Sequence, residues 1–193
     1  MDDVRRIDGL TYRPGFIDCD EEARLVAAVD RQPWQSGLKR RVQHYGYRYD
    51  YSRRTIDASS FLGPLPDWSQ GLLDRIMAEN LLPTRPDQLI VNEYQPGQGI
   101  TPHIDCIPCF GEAIAVVSLE SGCIMNFTDT RSVDSANLYL ERGSLLLLSG
   151  DSRYRWKHSI PARRADQAET GKVNRDRRVS LTLRKVLLGG DVR

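Results

Sequence analysis

The spacing of hydrophobic positions changes partway along this chain of 193 residues. In the first part it is helical. EEARLVAAVDRQ puts Leu25, Val26 and Val29 on one stripe, with Asp18 or Asp20 placed to cap the start and Pro33 to end the helix. Acids in the first turn suit the helix dipole. A second stripe through Leu72, Leu73, Ile76 and Met77 predicts another helix, capped by Asp67 or Ser69. Residues 10–17 read as a short strand entering a turn. From Leu89 the apolar runs become short. They predict strands at 89–94, 100–105, 113–119, 123–128, 137–141, 144–149, 154–160 and 178–187, separated by turn residues such as Pro96-Gly97, Gly122, Gly143 and Pro161. Eight such strands predict a double-sheet jelly roll, a double-stranded β-helix. With N-terminal helices packed on it, the fold class is α+β. Residues 161–177 are polar and charged and predict a mobile loop.

Between the two regimes lies LKRRVQHYGYRYDY, residues 38–51. It predicts one or two strands with a turn near Gly46. In a single strand Tyr45, Tyr47, Tyr49 and Tyr51 would share a face. Interleaved with Arg40, Arg41, Arg48, Arg53 and Arg54, they fit a surface that stacks bases and grips phosphates. They fit equally an aromatic core strand with a charged outer face.

Composition narrows the picture. The length suits one domain, spanning 1–193. No apolar run approaches a membrane span and the N-terminus lacks a signal-peptide core, so no membrane role is expected. Four cysteines without a secretory signal predict free thiols in a reducing, cytoplasmic setting. Cys106-x-x-Cys109 reads as half a zinc site, a redox pair or a loop beside the metal proposed below. Net charge is only +1, yet residues 38–54 carry six bases against one acid, and residues 153–185 eleven against three. Two basic segments on a neutral protein fit a phosphate-binding rim; they fit a solvated arginine-rich surface as well.

Candidate chemistry gathers in NEYQPGQGITPHID, residues 92–105. In an extended segment His103 and Asp105 point to one side. Two imidazoles and a carboxylate suit a non-haem Fe(II) site with open positions. The chain has three histidines. His158 closes the run GSLLLLSGDSRYRWKH and is the expected second imidazole ligand. His44 is expected to be structural or to touch substrate. Arg178 and Arg184 share a strand face with Ser180 and Thr182, opposite Val179, Leu181 and Leu183, which implies a polar cavity. A guanidinium there grips a carboxylate bidentately, and Asn92 and Tyr94, also on one face, are suitable further donors to a small dicarboxylate.

Asn92-x-Tyr94, His103-x-Asp105, His158 and Arg178-x5-Arg184 together resemble the AlkB family of Fe(II)/2-oxoglutarate dioxygenases, over roughly residues 10–187. Within that family RVQHYGYRY, NEYQPGQGITPHID and SLTLRKV are most similar to the AlkB-like domain of the tRNA wobble-uridine hydroxylase. The resemblance implies His103, Asp105 and His158 as catalytic iron ligands, and Asn92, Tyr94 and Arg178 on 2-oxoglutarate with Arg184 supporting the site. It implies residues 38–54 as a nucleotide-recognition lid, where Arg40, Arg41, Tyr47 and Tyr49 are the candidate substrate contacts. Fe(II), 2-oxoglutarate and O2 are the implied cofactors. The expected activity is oxidative dealkylation of alkylated bases in single-stranded DNA or RNA, by a monomer. The alternatives are hydroxylation of a tRNA nucleoside side chain or of a protein or small molecule.

Overall fold

The computed structural model describes residues 6–37, 39–168 and 171–189. Residues 1–5, Leu38, residues 169–170 of the expected loop and residues 190–193 lie outside them. Two antiparallel sheets face each other. The larger has the order β1 (Leu10–Arg13), β8 (Leu145–Leu148), β5 (Phe110–Leu119), β12 (Arg178–Val186), β3 (Gln88–Tyr94), β2 (Arg41–Tyr45). The smaller has the order β4 (Ile100–His103), β9 (Trp156–Ile160), β6 (Cys123–Asp129), β7 (Ser135–Leu140). All eight strands expected beyond residue 88 are present, in a jelly roll.

The helices cover the outer face of the larger sheet. Helix α1 (Cys19–Asp30) is capped by Asp18, whose carboxylate accepts from the Glu21 N–H at 2.7 Å. Helix α2 (Asp67–Ala78) begins after Pro66, with no side-chain cap from Asp67 or Ser69. Leu25, Val29, Leu72, Leu73 and Ile76 pack on Leu89, Val91, Val117, Val179, Leu181 and Leu183 in one cluster. Each fully buried side chain of this kind contributes about 1.5–3 kcal/mol. A second cluster, including Val116, Met125, Phe127, Leu138, Leu146 and Leu148, joins the two sheets.

Strand β12 shows why the polar face has a function. It lies mid-sheet, and both its faces are covered. Its odd-numbered residues Val179, Leu181 and Leu183 meet the helices; its even-numbered ones face the other sheet. An inward Arg, Ser, Thr, Arg series on a central strand is costly unless a polar cavity receives it.

Three local expectations are corrected and one is met. Residues 38–51 hold the expected turn near Gly46 and not a single strand: β2 ends at Tyr45, and at Gly46 φ is +75° and an added Cβ would collide with the Asp87 carbonyl. The tyrosines therefore separate. Tyr45 packs on Trp68, Tyr47 on Phe61, and Tyr49 on Phe110 and Tyr51. Residues 161–177 hold a hairpin, β10 (Ala165–Ala168) with β11 (Gly171–Asn174), tied by buried Asp166 to Arg163 and Arg175. A short helix, α3 (Gly150–Tyr154), occupies the approach to β9. Finally, Cys106 and Cys109 are not free thiols. The turn over Ile107–Cys109 brings their Cα atoms to 5.3 Å and they form a disulfide, while Cys19 and Cys123 stay free.

Candidate active site

The ladder between β4 and β9 sets His103 directly opposite His158, with ring centroids 4.4 Å apart. Strand β4 stops at His103, two residues short of the expected end, so Asp105 is not held by the sheet. Arg153 holds it instead. This side chain is 1% exposed and has no carboxylate partner among the described residues; its guanidinium donates to the backbone carbonyls of Asp105 (2.9 Å), Cys106 (3.2 Å), Phe110 and Gly111 (3.3 Å each). Sequence reasoning missed Arg153. Nothing in the sequence sets it apart from its charged neighbours Asp151, Arg155 and Lys157.

One ligand atom each from His103, Asp105 and His158 lies within 4.8 Å of the other two. The His103 Nδ1 is 2.8 Å from the Thr101 carbonyl, which can only accept, so Nδ1 carries a proton and Nε2 is the nitrogen turned toward the other two ligands. Burial pushes His158 down to about 4, so it presents a neutral imidazole at pH 7. Burial alone would raise the Asp105 carboxyl, but Arg184 and the two histidines outweigh it and hold the group far below the usual carboxylate range. The Arg184 Nε donates to Asp105 Oδ2 at 3.1 Å, leaving Oδ1 on the side of His103, 3.6 Å from its Nε2. Two imidazoles and one ionised carboxylate fit Fe(II), and a second layer fixes His103 through the Thr101 carbonyl and Asp105 through Arg184.

Beside this triad is a carboxylate receptor. Register places Arg178 opposite Tyr94, and Ser180 opposite both Asn92 and Ser118. Arg178 is 3% exposed; its Nη2 donates to Ser118 Oγ at 2.8 Å, while Nε and Nη1 are buried without a partner among the described residues. A buried guanidinium with two idle donors is costly, and a bound carboxylate removes that cost. Asn92, Tyr94, Arg178 and Ser180 line a cavity of about 600 Å³, whose wall also includes Arg40, Tyr49, Tyr51, Arg54 and Lys157.

The expected basic rim is smaller than the charge count implied. In the C-terminal segment Arg155 pairs with Asp129 and Asp151, Arg177 with Asp30, Glu93 and Glu120, and Lys185 with Asp87. Arg163 and Arg175 are held by Asp166. Of the expected substrate contacts, Arg40 and Tyr49 line the cavity; Arg41 and Tyr47 do not. Arg41 lies on the outer sheet face, paired with Glu93 and stacked over Trp34. His44 is away from the triad, buried with its ring edge toward Tyr51.

A jelly roll with a His-Asp-His centre beside a buried, half-idle arginine is the architecture of a metal-dependent oxygenase that takes a carboxylate co-substrate. The 2OG-Fe(II) oxygenase superfamily model matches residues 10–184, and the chain belongs to that family. It is therefore an oxidoreductase whose reaction uses Fe(II), 2-oxoglutarate and O2. It is 41% identical over 96% of its length to an "Alkylated DNA repair protein ALKBH8 homolog" of Arabidopsis thaliana, covering 60% of that protein. It is 36% identical over 83% of its length to the "tRNA (carboxymethyluridine(34)-5-O)-methyltransferase ALKBH8" of Mus musculus, covering 25% of it. Among solved structures it superposes on OsALKBH1 with a TM-score of 0.72 at 19% identity, covering 92% of this chain and 96% of that one, which shows a shared fold. No helix among the described residues is long and apolar enough to cross a membrane.

Proposed function

We propose that His103, Asp105 and His158 hold Fe(II), that Arg178, Asn92 and Tyr94 hold 2-oxoglutarate, and that the chain oxidatively dealkylates alkylated bases in single-stranded DNA or RNA. Residues 38–54 then act as its nucleotide-recognition lid. The observation that carries the nucleic-acid reading is the charge of the cavity wall: five cationic side chains (Arg40, Arg54, Lys157, Arg178, Arg184) against one carboxylate, Asp105. Fe(II) and dianionic 2-oxoglutarate offset each other. Arg178 and Arg184 are engaged at the floor, so Arg40, Arg54 and Lys157 remain for an anionic substrate, beside Tyr49 and Tyr51, whose rings suit a base. The names of the relatives above point the same way.

Bound Fe(II), with 2-oxoglutarate and O2, supplies oxidation of a substrate C–H bond, with succinate and CO2 as co-products. The chain's residues orient and shield. His158 stays neutral, Asp105 stays ionised, Thr101 orients the His103 ring, and Arg178 fixes the far end of the co-substrate. An N-methyl group hydroxylated to N–CH2OH breaks down with loss of its carbon as formaldehyde, the C–N bond breaking and the hydroxyl proton passing to nitrogen; a hydroxyl placed on a carbon-bound position remains. The second reading, hydroxylation of a tRNA nucleoside, takes its substrate from the similarity to the mouse protein, whose name places its activity on tRNA, and its reaction from the oxygenase family. On either reading the chain works as a monomer in the cytoplasm, an expectation that rests on the sequence.

Succinate and formaldehyde measured with N-methylated oligonucleotides, with tRNA and without nucleic acid test both readings. Formaldehyde with the methylated oligonucleotides supports dealkylation. Succinate with tRNA, no formaldehyde and a nucleoside heavier by one oxygen supports the second. Succinate unaffected by any nucleic acid sinks both.

A further inference from the structure

We infer that Arg40 couples the binding of nucleic acid to the binding of 2-oxoglutarate, a step that rests on the reading above. Arg40 stands just before β2, whose pairing with β3 sets Val42 opposite Asn92. Arg41, on the outer face, is taken by Glu93. Arg40, one residue earlier, turns inward and its Nε donates to Asn92 Oδ1 at 2.8 Å.

That bond fixes the Asn92 amide. A guanidinium has no acceptor, so the amide end facing it must be the oxygen. The Asn92 NH2 is thereby free to donate to a co-substrate carboxylate. The Arg40 guanidinium also lies 5.8 Å from the Tyr94 ring centroid and 6.0 Å from that of Tyr51, so it bridges the co-substrate wall and the tyrosine-rich segment. Among the described residues Arg40 has no acidic partner. Its Nη1 and Nη2 edge suits a substrate phosphate. A phosphate bound there holds the guanidinium over Asn92 and keeps the amide oriented for 2-oxoglutarate. By linkage, 2-oxoglutarate must tighten the oligonucleotide by the same factor.

Calorimetry tests this on Mn(II)-loaded full chain, titrated with 2-oxoglutarate in the presence and absence of a saturating single-stranded methylated oligonucleotide. Wild type should bind 2-oxoglutarate more tightly with the oligonucleotide, by about fivefold or more. Arg40→Met should reduce that ratio to one. Arg40→Lys keeps the charge but loses the fork; it should retain much of the oligonucleotide affinity and lose most of the coupling. Without nucleic acid, the Arg40→Met and Asn92→Ala effects on 2-oxoglutarate affinity should be non-additive. An unchanged ratio in Arg40→Met, a ratio of one in wild type, or an additive cycle overturns the coupling while leaving the nucleic-acid reading intact. Failure of wild type to bind any oligonucleotide overturns both.

Discussion

The Arg184 guanidinium and the Asp105 carboxylate form a buried pair, Nε to Oδ2 at 3.1 Å, that joins the last strand of the larger sheet to the loop following β4. It ionises Asp105 and occupies one of its oxygens, so the other is the one available to a metal. Arg184→Leu should therefore weaken Mn(II) binding without removing a ligand. Truncating one partner of such a pair costs roughly 2–5 kcal/mol. Metal affinity equal to wild type would refute this role.

The triad itself predicts a sharper result. His103→Ala, Asp105→Ala and His158→Ala should each abolish tight Fe(II) or Mn(II) binding, with circular dichroism showing the sheets retained. His44→Ala should leave metal binding alone, since His44 lies outside the triad. Loss of metal in His44→Ala but not in His158→Ala would reverse the assignment.

Arg178→Ala should weaken 2-oxoglutarate binding by roughly 2–5 kcal/mol. Arg178→Lys should recover only part of it, because one ammonium cannot replace a planar fork that also donates to Ser118. Titration calorimetry reads both. Wild-type affinity in Arg178→Ala would place the distal carboxylate elsewhere.

Acid should weaken the metal-free protein. Burial first, then Arg48, Arg184 and Arg40, push His44 down to about 4 from its ordinary 6.5. Between these values the unfolded chain binds a proton that the folded one refuses, so stability rises with pH. The contribution is complete above 6.5 and is lost as pH falls toward 4; at pH 5 the His44 share lost is about 2 kcal/mol. Urea unfolding at pH 7 and pH 5 should show a smaller drop for His44→Gln than for wild type. Equal drops would mean that His44 is not the titrating group.

Salt dependence separates the cavity cations from the paired ones. Arg54→Ala and Lys157→Ala should each flatten the salt slope of oligonucleotide binding by roughly 0.7, the value for one single-strand phosphate contact. Arg41→Ala should leave the slope unchanged and instead lower stability, because it strips one of two guanidinium partners from buried Glu93. A flattened slope in Arg41→Ala would return that residue to the binding surface.

The sequence by itself determined the elements that depend on near neighbours in the chain. Alternation along Arg178–Val186 showed a strand with one apolar and one polar face. Helical spacing showed α1 and α2, and residue type together with resemblance picked out His103, Asp105, His158 and Arg178. Tertiary structure decided which charges are free, because an arginine's availability depends on whether a carboxylate folds against it. Arg41 and Arg177 meet Glu93, and Arg175 meets Asp166; partners such as Arg41 and Glu93, or Arg177 and Glu93, are distant in sequence. The same holds for Arg153, whose partners are backbone carbonyls that no sequence pattern marks. Local periodicity records which way a side chain points, and only long-range packing records what it meets there.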